Sequence, residues 1–192
     1  RSDENKRNLL AEGVDEARIV VTGNTSIDAL LATGGADRGF GTGLEALEAE
    51  FADPARPTPP LVLVTAHRRE NWGAGIERIA EAVRRLAERY PAARFVVPMH
   101  PNPVARGPFI GALEGRGNAF LVEPREYAHF AALMHAASLI ITDSGGVQEE
   151  APALGVPVLV ARETTERGEG VAAGTLTLVG TDVESILGGA AL

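Results

Sequence analysis

The stretch 141–152 contains the residues best suited to do chemistry. Ser144, Gly145 and Gly146 stand between a short apolar run and the start of a helical pattern. The first amides of a helix have no partner inside it and lie at the positive end of its dipole, so a phosphate placed there meets several donors. The glycines let a diphosphate approach the backbone, and the Ser144 hydroxyl adds a donor. Glu150, one helical turn further on, could accept both hydroxyls of a ribose. An ordinary turn followed by solvated glutamates is the alternative reading.

Two histidines follow other apolar runs. His67 comes directly after the run 61–65, in a polar segment where it could donate to a phosphate or pass a proton near neutral pH. Arg68, beside it, could bind an anion through its guanidinium group. His100 follows the run 94–99 and precedes Pro101 and Pro103, which fix the loop, so a structural role fits His100 as well as a functional one. A solvated loop that merely ends a strand is the alternative for His67.

Aromatic and cationic side chains follow two further runs. Tyr127 and Phe130 are three residues apart on a predicted helix; most such pairs lie in a core, but one ring facing a cleft could stack on a nucleobase. Arg167 belongs to a loop that contains arginine and hydroxyl side chains. This loop is either simply solvated or directed at the same phosphate-bearing ligand as the start of the helix after Ser144. His129 and His135 do not share a helical face, and nothing nearby completes a metal site.

The elements that position these residues alternate regularly from residue 61. Apolar runs at 61–65, 94–99, 120–122, 138–142, 156–160 and 176–179 predict strands, and helical patterns occupy 76–89, 103–113, 126–136, 147–154 and 166–172. Continuous rather than alternating hydrophobicity predicts a parallel sheet with helices on both faces, an α/β Rossmann-like fold. Ligands of such sheets bind beyond the carboxyl ends of the strands, where the candidate residues fall.

The first 60 residues are less regular. They predict a charged helix at 5–12, a short strand at 19–21, and a helix at 26–31 capped by Thr25. Glycine-rich and proline-rich stretches then predict a linker or peripheral segment at 32–60, with a short helix at 44–51. The main domain is expected to begin at residue 61.

Composition excludes several classes of protein. The 192 residues are 45% hydrophobic and carry a formal charge of −8, which argues against a nucleic-acid binder. The absence of cysteine excludes disulfides and thiolate metal sites and fits the reducing cytoplasm. A single lysine, Lys6, lies far from any glycine-rich loop, so neither a Walker phosphate loop nor a pyridoxal Schiff base is supported. No apolar run is long enough for a membrane span, and because the sequence does not begin with methionine we expect a piece of a longer protein.

The sequence resembles the non-hydrolysing UDP-N-acetylglucosamine 2-epimerases. The similarity covers 13–14, 20–25 and 27–30, weakens over 31–60 and resumes over 64–182. Its most specific parts are Thr65-Ala66-His67-Arg68-Arg69-Glu70-Asn71, 142–152 and Thr164-Thr165-Glu166-Arg167. The resemblance implies one half of a glycosyltransferase-B type fold, in which two Rossmann-like domains face a cleft. It implies that 1–31 is the tail end of the N-terminal domain, that 32–60 links the domains, and that 61–192 is the C-terminal UDP-binding domain.

The resemblance also implies roles for individual residues. Ser144, Gly145 and Gly146 would hold the diphosphate, Glu150 the ribose, and Phe130 the uracil. Arg167 would reach the nucleotide, and His67 would contact the phosphates beside the reacting sugar as a catalytic residue. His67, Arg68 and His100 match positions that in some bacterial members also touch a second, regulatory UDP-N-acetylglucosamine. Two positions depart from the family: Arg125 stands where glutamine is common on the uracil side, and Gly168 replaces the usual proline.

The family's reaction removes the C2 proton and expels UDP to give a glycal, then returns UDP with the opposite C2 configuration. It implies no cofactor, a homodimer in the full-length protein, and general acid and base carboxylates in the N-terminal domain. We therefore expect this chain to bind UDP weakly without epimerising. Three alternatives remain: the donor domain of a glycosyltransferase, a hydrolysing relative that releases N-acetylmannosamine, and a binding module that senses nucleotide sugars.

Overall fold

A computed structural model describes residues 2–33 and 39–190 as an α/β structure around one parallel sheet. The strands are β1 (Leu61–Thr65), β2 (Arg94–Pro98), β3 (Ala119–Val122), β4 (Leu139–Thr142), β5 (Val158–Val160) and β6 (Leu176–Leu178). The helices are α1 (Asp3–Ala11), α2 (Thr25–Thr33), α3 (Glu45–Ala52), α4 (Ala74–Arg89), α5 (Pro103–Leu113), α6 (Tyr127–Ala136), α7 (Gly145–Glu150), α8 (Gly168–Ala172) and α9 (Val183–Gly189). The six strands predicted from residue 61 onward are confirmed.

The strand order β3-β2-β1-β4-β5-β6 places β1 and β4 side by side at the centre. Every strand pair is parallel, and the β1–β4 register aligns Thr65 with Thr142 at the carboxyl ends. The chain leaves β1 and β4 toward opposite edges of the sheet, which opens a crevice between the loops that follow them. This switch point is where open parallel sheets bind ligands.

Alternate residues of each strand enter two separate cores. On one face, Val62, Val64 and Ile141 pack with residues of α4, α5 and α9. On the other face, Leu63 and Ile140 pack with residues of α2, α3 and α6. Because both faces of β1 are covered, all five of its residues are buried, as the continuous hydrophobic pattern predicts.

The helix α4 shows how the sequence sets one of these elements. It follows Gly73, whose φ of 79° is open to glycine but disfavoured for other residues. Ile76, Ile79, Val83 and Leu86 recur at the three- and four-residue spacing of one helical face and are fully buried. The pattern therefore fixes both the helix and the face that meets the sheet.

Several predicted boundaries and one predicted element are wrong. The strand predicted at 19–21 forms no ladder with any described residue, and Val20 is 77% exposed, because β-branched composition alone supplies no neighbouring strand. The helix predicted from Val147 begins at Gly145, and the helix predicted at 166–172 begins at Gly168. Asn24, rather than Thr25, caps α2, since its side-chain oxygen accepts a hydrogen bond from the Ser26 amide at 3.1 Å.

The segment 32–60 contributes to one of the cores. Phe40, Leu44 and Leu47 are buried against the face of the sheet that carries α2 and α6. Residues 34–38 of the predicted linker lie outside the described residues, as do Arg1 and residues 191–192 of the predicted C-terminal domain. The domain boundaries at residues 31 and 60 stay predictions.

Candidate functional site

A buried carboxylate holds the loop that follows β1. Asp143 comes directly after β4 and is fully buried. It accepts hydrogen bonds from the His67 amide at 3.0 Å, the Arg68 amide at 2.9 Å and Asn71 Nδ2 at 3.0 Å. A charged acceptor with several such donors makes hydrogen bonds that are stronger than those between neutral groups. The loops after the two central strands are therefore fixed to each other across the switch point.

The same contacts orient the His67 ring. Its Nδ1 lies 3.5 Å from Asp143 Oδ1, and its backbone carbonyl accepts a bond from Trp72 Nε1 at 3.1 Å. The ring stacks on His100, with centroids 5.5 Å apart and planes 4° apart. The two predicted histidines thus meet, although His67 and His100 follow different strands.

The start of α7 lies beside two cations. Ser144 is the N-cap; its amide donates to Thr142 Oγ1 at 2.9 Å, and its hydroxyl makes no capping bond to the helix. A Cβ built on buried Gly145 would lie 3.3 Å from Nη2 of both Arg68 and Arg167. The helix has only six residues, so its dipole is small and the two guanidinium groups supply most of the positive potential. The arrangement suits a multiply charged anion.

Arg167 is held over Gly145 by carboxylates. Its Nη2 lies 2.6 Å from Glu149 Oε1, and its Nη1 lies 3.2 Å from Glu166 Oε2. Arg162, which is 5% exposed, also donates hydrogen bonds to Glu166 and thereby holds the loop that carries Glu166 and Arg167. The Arg162 hydrogen bond lowers the pKa of the Glu166 carboxyl, which therefore stays ionised.

A cavity of about 230 Å³ adjoins the start of α7 and is lined by predicted residues that follow β1, β2, β3 and β4. His67, His100, Arg125, Phe130 and Ser144 all line it. Phe130 contributes an aromatic ring to the wall of this cavity, and its contact with a base stays a prediction. Glu150, Gly146 and Arg167 are not among the described residues that line this cavity.

Arg125 is partly sealed from solvent. Its Nε and Nη2 atoms are buried, and neither has a hydrogen-bond partner among the described residues. Nη1 lies 3.6 Å from the position a Cβ on Gly41 would take, so the 39–43 loop covers the side chain. Buried guanidinium donors without acceptors are costly, and an acceptor brought by a ligand could relieve that cost after a small side-chain movement.

Glu150, the predicted ribose contact, is buried. The residue is 9% exposed, and the Tyr127 hydroxyl donates to its Oε1 at 3.4 Å. Burial raises the pKa of the Glu150 carboxyl, and the neighbouring charge of Glu149 adds to this rise, while the Tyr127 bond opposes it. Gly146, by contrast, is exposed.

Four contributors to this site were not predicted from sequence. Asp143 and Asn71 lie inside the segments singled out above, yet their buried bond joins two loops 72 residues apart. Glu149 bonds to Arg167 and to Asn24 Nδ2 at 2.7 Å, although it reads as a solvated glutamate. A polar residue directly after an apolar strand was the available signal for Asp143; no comparable signal marked Asn24.

Among residues 2–33 and 39–190, no group of three or more acidic, histidine or cysteine side chains is placed to hold a metal ion. Over the same ranges, every helix is too short or too polar to cross a bilayer.

Known proteins are similar to this chain over nearly its whole length. The family model described as UDP-N-acetylglucosamine 2-epimerase matches residues 1–191. A UDP-N-acetylglucosamine 2-epimerase of Neisseria meningitidis is 44% identical over 194 residues, covering 97% of this chain and 50% of the relative. The corresponding enzyme of Escherichia coli K12 is 45% identical over 189 residues, covering 97% of this chain and 49% of the relative. The chain spans about half the length of the curated relatives it matches.

Solved structures show the same relationship. The N. meningitidis UDP-GlcNAc 2-epimerase bound to UDP-GlcNAc superposes with a TM-score of 0.84 at 44% identity, covering 97% of this chain and 50% of that one. The S. aureus MnaA–UDP complex superposes with a TM-score of 0.86 at 39% identity, covering 97% and 48%. The predicted fold, one half of a glycosyltransferase-B type structure, is confirmed. Sequence and structure together show that the chain belongs to the UDP-N-acetylglucosamine 2-epimerase family.

Proposed function

We propose that this chain is the UDP-binding half of an enzyme that interconverts UDP-N-acetylglucosamine and UDP-N-acetylmannosamine. The observation that carries the proposal is the pair of guanidinium groups, Arg68 and Arg167, whose Nη2 atoms both lie beside Gly145 at the start of α7. A diphosphate carries charge on both phosphates and can use two cations together with the free amides of the helix start. UDP supplies such a group, and two solved relatives contain UDP or UDP-GlcNAc.

The base and the ribose have matching surfaces nearby. Phe130 lines the adjoining cavity and offers its ring to the uracil, while the buried donors of Arg125 suit an acceptor such as a uracil carbonyl. Glu150 would accept the ribose hydroxyls in its ionised form. Since its pKa is raised by burial, the two hydroxyl donors of a bound ribose would lower that pKa again.

His67 is proposed as the catalytic residue of this half. Asp143 lies on the Nδ1 side of the ring, so Nε2 is the nitrogen left to approach the β-phosphate. There it would donate a hydrogen bond as the C1–O bond breaks and charge grows on the departing UDP. The C2 proton would go to a general base elsewhere in the full-length protein, and re-addition of UDP with the opposite C2 configuration would complete the epimerisation.

The remaining assignments are parts of the same proposal. Residues 1–31 would end the N-terminal domain, 32–60 would link the domains, and 61–192 would form the UDP-binding domain of a cytoplasmic homodimer. His67, Arg68 and His100 also line a second cavity of about 430 Å³ with Trp72 and Asn102, which supports the proposed regulatory UDP-N-acetylglucosamine contact.

Titration calorimetry with UDP, and NMR analysis of products from UDP-N-acetylglucosamine, test the proposal. The chain should bind UDP and leave UDP-N-acetylglucosamine unchanged, whereas the full-length protein should convert it to the manno epimer. Free N-acetylmannosamine as a product would instead indicate a hydrolysing enzyme. Sugar transfer to an acceptor would indicate a glycosyltransferase, and binding without turnover by the full-length protein would indicate a sensor. Failure of the chain to bind UDP would contradict the binding assignment itself.

A further inference from the structure

Three residues from separate segments form a continuous series of contacts that ends at Gly145. Asn24 Nδ2 donates to Glu149 Oε2 at 2.7 Å, and Arg167 Nη2 lies 2.6 Å from Glu149 Oε1. Each oxygen of the Glu149 carboxylate therefore has its own partner. The Arg167 Nη2 atom that Glu149 holds is also the atom beside Gly145.

The orientation of Asn24 is set by α2. Its Oδ1 accepts from the Ser26 amide at 3.1 Å, and its backbone carbonyl accepts from the Ile27 amide at 3.0 Å. Rotating the carboxamide by half a turn would set its NH2 group against the Ser26 N–H, so only one orientation satisfies both groups. In that orientation the NH2 group faces Glu149.

The contacts lie in a partly closed region where small movements matter. The side chains of Glu149 and Arg167 are 11% and 27% exposed, so water screens their interaction less than at an open surface. An Nη atom carries two N–H bonds, so Arg167 can keep one on Glu149 while the other faces the space above Gly145. A shift of the Glu149 carboxylate would move the guanidinium group away from that space.

We propose that Asn24 is a positioning residue for the diphosphate, acting through Glu149 to hold Arg167 over Gly145. The inference rests on the proposed UDP binding. It assigns the segment before α2 a part in forming the phosphate site, whereas a purely structural contact would leave phosphate affinity independent of Asn24.

The variant Asn24→Ser tests the proposal, because serine caps helices about as well as asparagine but cannot extend an amide donor to Glu149. Calorimetry should show UDP affinity reduced roughly tenfold and uridine affinity unchanged, since contacting residues couple on this scale. In an Arg167→Ala background the same substitution should have no further effect on UDP affinity. An equal loss in both backgrounds, or an equal loss for uridine, would overturn the proposal.

Asn118→Ser is the matched control. Asn118 is similarly half-buried and donates to the Ala87 carbonyl at 3.0 Å, but it precedes β3 at the opposite end of the sheet from the site. Asn118→Ser should leave UDP affinity unchanged. A loss of UDP affinity equal to that of Asn24→Ser would show that both variants act by destabilising the fold in general.

A ligand-free measurement separates this inference from the proposed function. In 15N relaxation experiments, the Arg167 Nε–H group should lose order in Asn24→Ser but not in Asn118→Ser. If the wild-type chain fails to bind UDP, the proposed function is wrong, and unchanged Arg167 order would independently overturn the positioning role.

Discussion

Replacing Gly145 with alanine adds one methyl group at the point where Arg68 and Arg167 meet. The new Cβ would lie 3.3 Å from Nη2 of each arginine, closer than an ordinary van der Waals contact. Both neighbours are the far ends of flexible side chains and can retreat by a few tenths of an ångström. The folded chain should therefore accommodate the methyl group, but the two guanidinium groups should move away from the start of α7.

The substitution should leave stability the same or slightly higher but should lower the affinity for UDP. Alanine is favoured over glycine in a helix by up to about 1 kcal/mol, so the free energy of unfolding should stay the same or rise slightly. A hydrogen bond to a charged group contributes about 1.5–3 kcal/mol, so weakening one guanidinium contact to the diphosphate should lower UDP affinity by about 10- to 150-fold. Uridine, which has no phosphate, should bind as it does to the wild type.

Calorimetric titrations with UDP and uridine, together with urea unfolding, measure both effects. Gly111→Ala is the matched control: Gly111 lies in α5, and a Cβ there would have no neighbour within 4 Å among the described residues. It should share the gain in helix propensity without losing UDP affinity. If Gly145→Ala binds UDP as tightly as the wild type, the diphosphate does not lie between these arginines and the start of α7.

Three other substitutions probe the rest of the site. Because burial raises the Glu150 pKa, the wild type loses stability as pH rises from the ordinary glutamate pKa to the raised one, so Glu150→Gln should gain relative stability over that interval while losing ribose-dependent UDP affinity. A stability difference that urea unfolding shows to be independent of pH would contradict this prediction. Asp143→Asn replaces an acceptor oxygen with a donor facing the His67 and Arg68 amides, so the free energy of unfolding should fall by about 1–3 kcal/mol. A fall of less than about 0.5 kcal/mol would show that Asp143 does not hold this loop through buried hydrogen bonds. Phe130→Ala should weaken uridine and UDP binding equally, by about 1–3 kcal/mol, whereas an effect on UDP alone in calorimetry would argue against stacking on the base.

Hydrophobic pattern and helix signals predicted most of the fold. The runs of β1 and β4 are continuous because both faces of the sheet are covered, so they stand out as buried strands. The ends of helices and strands were harder to predict. The two glycines after Ser144 indicate a turn on local grounds, yet they form the first helical residues of α7. The strand predicted at 19–21 failed because pairing depends on a neighbour that local composition cannot supply.

Local spacing and continuous motifs suffice to predict the alternating α/β architecture and the family, and they lead to the prediction that Ser144 and Gly145 bind phosphate. The folded chain was needed to find that Arg68 and Arg167 meet beside Gly145, and that Asp143 ties the loop of His67 to the end of β4. The Asn24–Glu149 contact joins residues 125 positions apart. Such contacts arise where the sheet brings the ends of distant segments to one edge, and no local pattern encodes which side chains meet there.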